Sequence, residues 1–74
     1  MPSEVHMEFT IEYDREADGR WIAEIASLPG TMAYGDTAQQ ACANAQALAL
    51  RVVAERLEHA EAGAESMTIS FRAA

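Results

Sequence analysis

The sequence predicts an α+β domain of two layers, a four-stranded sheet with one long helix on one of its faces. Three observations carry this. Stretches near both ends alternate apolar and polar residues, so each has one greasy side. Between them runs an alanine-rich stretch with neither proline nor glycine. That stretch has one apolar arc, as a helix laid on a half-buried sheet requires. The chain of 74 residues leaves no material for a second unit, so residues 1–74 are expected to form a single domain.

The first strand is read at 5–13. Val5, Met7, Phe9, Ile11 and Tyr13 alternate with His6, Glu8, Thr10 and Glu12. "DREADG" follows and ends in Asp18-Gly19, a turn signal. Trp21, Ala23 and Ile25 then alternate with Arg20, Ile22 and Glu24, which makes the first two strands a hairpin. The alternation assigns Trp21 to the core. "SLPG" closes the second strand through the tight turn that Pro29-Gly30 favours. Met32 and Tyr34 alternate with Thr31 and Ala33 in a short third strand.

Thr37 precedes Gln40 by three residues, the spacing of a capping box. Asp36 is the alternative cap, its carboxylate suited to the positive end of the helix. The helix is expected from Ala38 to about Ala60, with Gly63 as its stop. At ~1.5 Å per residue it is about 34 Å long, against about 30 Å for the first strand. On a helical wheel Ala41, Ala45, Leu48, Ala49, Val52 and Val53 form the apolar arc, with Gln40, Asn44, Arg51, Glu55 and Glu58 opposite. Leu50 and Leu57 fall at the far margin. Either they cover the edge of the core or they bury against a second subunit. After Gly63, Met67, Ile69 and Phe71 alternate with Ser66, Thr68, Ser70 and Arg72 in a fourth strand.

A domain this small buries only about 60% of the surface of its unfolded chain, so its core is marginal without help. Cys42 is the single cysteine and cannot form an internal bridge; it is read as a structural thiol in a reducing compartment. His6 and His59 lack companions for a metal site and are assigned to the surface and to the helix terminus. Self-association, as a dimer or tetramer, is the remaining route to stability. The N-terminus is not a signal peptide and no apolar run could span a bilayer, so a cytoplasmic protein is expected. Twelve acidic residues face five arginines, for a net charge of −7. That charge disfavours nucleic acid and suits a basic protein partner.

"GTMAYGDT" at 30–37 is one residue from a phosphate-binding loop, but Asp36 stands where that loop needs lysine. The stretch is better read as a strand followed by a helix start shaped by Gly35. Glu8, Glu12, Asp14 and Glu24 could in principle serve a two-metal nuclease. Glu8 and Glu12, however, lie on the polar strand face, and no inward acid follows on the helix or the last strand. No enzyme, metal or cofactor is expected.

From Phe9 to Leu50 the chain resembles the HicB-like antitoxin domain. The shared features, in order, are an acidic turn ending in Gly19, an aromatic lead at Trp21, Leu28-Pro29-Gly30, Gly35-Asp36-Thr37 and the alanine-rich helix. The match extends over roughly residues 7–72. The resemblance implies a β-β-β-α-β fold, partial RNase H-like, with strand order 3-2-1-4 and the last strand parallel to the first. It also implies an antitoxin of a type II toxin-antitoxin system that occludes a HicA-type mRNA-cleaving toxin, a small basic protein. Asp14, Glu16, Asp18 and Glu24 are the expected contacts to that partner. Family members that repress their own operon carry a further DNA-binding domain, which this sequence, ending at Ala74, is expected to lack. The alternative is a solitary oligomeric domain of the same type, structural or binding a small ligand.

Overall fold

A computed structural model describes residues 4–59 and 66–74. Its elements are β1 (Glu4–Arg15), β2 (Trp21–Glu24), β3 (Met32–Gly35), α1 (Ala38–His59) and β4 (Ser66–Ala73). They form one four-stranded mixed sheet in the order β3-β2-β1-β4. β1–β2 and β2–β3 are antiparallel, while β4 runs parallel to β1. A parallel neighbour needs a crossover, and α1 is that crossover. Among the described residues no helix is long and apolar enough to cross a membrane.

β1 is longer than the alternation suggested, because Asp14 and Arg15 extend it to pair with Ile22 and Trp21. Its ladder is divided. Glu4 to Ile11 pair with β4, and Glu12 to Arg15 pair with β2. The sheet is therefore staggered: a β1–β4 ribbon at one end, a three-stranded meander at the other. β2 stops at Glu24 rather than Ile25. The Ile25 N–H bonds to the Thr31 carbonyl at 3.3 Å and closes the intervening loop. The Thr31 hydroxyl, buried in that loop, donates to the Leu28 carbonyl and lies 3.0 Å from that of Ile25. This bracing drives Ile25 and Leu28 into the core, where both are buried.

The core is built from Phe9, Ile11, Ala23, Ile25 and Leu28 against the helical row Ala41, Ala45, Ala49 and Val53. Residues four apart on a helix form a ridge. Three alanines in that ridge let α1 settle closely on β2 and β3. Leu48 and Val52, assigned to the same arc, are only half-buried. Gly35 makes the approach possible: a Cβ there would lie 2.4 Å from the Ala41 nitrogen. Its φ is not positive, so the constraint is space and not backbone conformation. The expected helix end at Ala60 and stop at Gly63 lie outside the described residues.

The start of α1 is fixed by reciprocal bonds. The Gln40 N–H donates to Thr37 Oγ1 at 3.0 Å, and Gln40 Oε1 accepts from the Asp36 N–H at 3.0 Å. The capping oxygen is that of Thr37. Asp36 takes part through its backbone and not, as the alternative had it, through its carboxylate. The Asp36 amide, which a phosphate-binding loop would offer to an anion, is occupied here within the protein, as are those of Gln40 and Ala41.

Candidate functional site

The face of the sheet turned away from α1 carries Glu12, Asp14 and Glu24 close together. The hairpin register sets two rows across it. Glu12 stands opposite Glu24, which stands opposite Met32; Asp14 stands opposite Ile22, which stands opposite Tyr34. Directly opposed residues on one face have Cβ atoms about 5 Å apart, close enough for like charges to destabilise the pair. Among the described residues, no cation forms an ion pair with Glu12, Asp14 or Glu24. These three acids, with Ile22 and Tyr13, line a shallow hollow of about 320 Å³. Met32 and Tyr34 continue the face as exposed apolar groups. The result is a half-buried isoleucine flanked by a methionine and a tyrosine, with carboxylates toward β1 and at Glu24 and the Arg20 guanidinium over the tyrosine.

The hairpin tip is different. Asp18 accepts from the Arg20 N–H at 3.0 Å and from Arg20 Nε at 2.8 Å. These bonds, the backbone one first, hold its carboxyl below the usual range. The Arg20 guanidinium also lies 4.4 Å from the centre of the Tyr34 ring, and Arg15 lies 6.0 Å from that of Trp21. Both cations are within stacking reach of aromatics. Glu16 is half-buried in the turn, where its N–H bonds to the Arg20 carbonyl at 2.7 Å. Of the four expected partner contacts, the structure brings Asp14 and Glu24 onto one face. It leaves Asp18 paired within its own turn.

Sequence reasoning had not assigned Glu12, Ile22, Met32 or Tyr34 to a partner face. One signal was present: Ile22 is the apolar residue in an otherwise polar set of alternating positions. Trp21 is half-buried beside Tyr13, ring centres 6.2 Å apart, at the border of the core. His6 is exposed and 3.1 Å from a Glu4 carboxylate oxygen, and His59 is 4.0 Å from one of Glu55. Burial raises the Cys42 thiol above its ordinary pKa. Among the described residues, no three His, Cys, Asp or Glu side chains converge where they could hold a metal ion.

Leu50 and Leu57 are 46% and 51% exposed. They do not cover the edge of the core, which ends at Val53. No family model matches the chain, nor does any curated protein or solved structure.

Proposed function

We propose that the chain is a protein-binding module of the HicB-like antitoxin type, of partial RNase H-like fold and cytoplasmic, without catalytic activity of its own. It acts by docking on a small basic HicA-type toxin and occluding the surface with which that toxin cleaves mRNA. The observation that carries this reading is the outer sheet face, where opposed Glu12 and Glu24 and neighbouring Asp14 border Ile22. Such a face has lower energy with a cation between its carboxylates than alone in water. An apolar centre within a charged rim is the usual anatomy of an interface. The net charge of −7 adds long-range attraction for a basic partner and repulsion for RNA, so the module would compete for the toxin and not for its substrate. The ordered motifs from Gly19 to Thr37 support the family assignment.

The test begins with the reading frames beside the gene. A short basic protein encoded there is purified and its RNA cleavage measured with and without this chain. Relief of cleavage at equimolar chain is expected. Glu12→Arg with Glu24→Arg should raise the half-effective concentration more than about tenfold, an effect of charge-pair size. Unchanged inhibition by that variant would refute the face, and no inhibition by the wild type would refute the antitoxin reading. The second reading, a solitary oligomeric domain, is favoured by the exposure of Leu50 and Leu57.

A further inference from the structure

β1 has one edge toward β4 and one toward β2, and successive residues serve them in turn. The Ala74 N–H bonds to the Ile11 carbonyl at 2.9 Å, so the odd-numbered residues from Val5 to Ile11 turn their backbone groups to β4. The Glu16 N–H bonds to the Arg20 carbonyl at 2.7 Å, so the even-numbered residues turn theirs to the β2 side. Both ladders give the same alternation. On the β2 side, Asp14 pairs with Ile22 and Glu12 with Glu24. There β2 ends, and the chain leaves into the loop that buries Ile25 and Leu28. Among the described residues, no backbone partner meets Thr10, Glu8 or His6 on that side. Their N–H and C=O groups line an open slot, in line with β2, that runs about 20 Å from Thr10 to Glu4.

An open strand edge is a template for a further strand, and main-chain bonding to an added strand is one way proteins recognise extended peptides. The sheet has two other edges, and they differ from the slot. At β3 the outward residues are Met32 and Tyr34, and the Tyr34 carbonyl already accepts from the Asn44 side chain at 2.9 Å. At β4 they are Met67, Ile69 and Phe71, flanked on the outer face by Ser66, Thr68, Ser70 and Arg72, with no acid among them. The slot is the acidic edge. Glu4 and Glu8 stand on its outer rim, and Glu12 and Glu24 at its closed end. Among the described residues, Glu4 pairs with His6 and the other three acids form no ion pair. On the inner rim Val5 and Met7 are half-buried and Phe9 is buried. A strand that fits both rims alternates cations, facing outward, with apolar residues facing α1.

We propose that this slot receives an extended segment of a basic partner protein, added antiparallel to β1 in line with β2. The segment alternates lysine or arginine with apolar residues. His6, Glu8 and Thr10 hold it through their backbones, and Glu4, Glu8, Glu12 and Glu24 select its charge. The inference deepens the docking reading above and rests on it for the basic character of the partner.

The probe is a capped seven-residue peptide of alternating lysine and valine, titrated into the full chain and followed by amide resonances. The His6, Glu8 and Thr10 amides should move downfield as they gain bonds, while those of Met7 and Phe9, already bonded to β4, should hardly move. In an antiparallel ladder, residues that exchange bonds share a face, so the lysine amides are the ones that bond. Methylating the lysine amides should weaken binding more than about tenfold, the loss of two or three hydrogen bonds. Methylating the valine amides should leave it within about twofold. Glu8→Lys, at an exposed position outside the Glu12/Asp14/Glu24 hollow, should weaken binding and flatten its salt dependence. Equal binding of the lysine-methylated and unmodified peptides would overturn the proposal. So would shifts at Met67, Ile69 and Phe71 in place of the slot, or slot shifts that grow with chain concentration alone, which would give the edge to a second copy. The peptide titration contains no toxin, so its failure and a failure to relieve RNA cleavage are separate results.

Discussion

Glu12 and Glu24 stand directly opposite one another on adjacent antiparallel strands, on the side of the sheet that α1 does not cover. Their mutual repulsion weakens the free chain where a basic partner would be received. Glu24→Gln should therefore stabilise the isolated protein by about 0.2–1 kcal/mol while reducing affinity for a cationic partner. Thermal melts at low and high salt check the first part, and the gain should shrink as salt screens the pair.

Gly35 is bound to its position by contact with Ala41. Gly35→Ala must displace the first turn of α1 from β3, an overpacking that costs about 1–3 kcal/mol. The midpoint of thermal unfolding should fall by about 4–8 °C per kcal/mol. Gly30→Ala meets no such obstacle, since nothing lies within 4 Å, but its φ of +85° imposes a backbone cost.

Thr37→Ala removes the oxygen that receives the Gln40 N–H. A loss of about 0.5–2 kcal/mol is expected in denaturant unfolding. Asp36→Ala should cost less, because the Asp36 contribution to the Gln40 bond is its backbone N–H. Equal losses for the two variants would reassign the cap.

Asp18 has its folded-state pKa lowered, chiefly by the Arg20 N–H and then by the Arg20 side chain. A depressed carboxylate contributes stability above its unfolded value, about 3.9, and loses it as pH falls through the lower folded value. The stability gap between wild type and Asp18→Asn should be constant near neutrality and close below about pH 4. Melts recorded across that window decide it.

Burial raises the Cys42 thiol pKa, so less of it is thiolate at a given pH. Its reaction with a disulfide reagent at mildly alkaline pH should be slower in the folded chain than in denaturant. Equal rates in the two states would contradict the placement of Cys42 beside the core.

The layers and the order of elements were legible because they rest on local periodicity. Val5 to Tyr13 alternate, Ala41 to Val53 recur every fourth residue, and Met67 to Phe71 alternate again. The pairing of the strands was a different matter. That β1 gives eight residues to β4 and four to β2 depends on register, which alternation alone does not set. For the same reason the opposition of Glu12 and Glu24 was hidden until the loop between Arg15 and Trp21 was known. Asp18 stands beside Asp14 and Glu24 among the expected contacts because the sequence does not reveal that Arg20 folds back onto it. Leu50 and Leu57 were recognised as marginal to the wheel, and their exposure follows from a ridge of alanines that rotates the helix toward β3.

β1 takes part in two of the three ladders of this sheet, with β4 over Glu4–Ile11 and with β2 over Glu12–Arg15. Its amides therefore belong to two separate reporters of opening, one from Val5 to Ile11 and one from Tyr13 to Arg15. In deuterated solvent the second set would slow when a cationic protein docks on the outer face, while those of the first that are paired with β4 would keep their pace. A single exchange time course along β1 then carries its own internal standard.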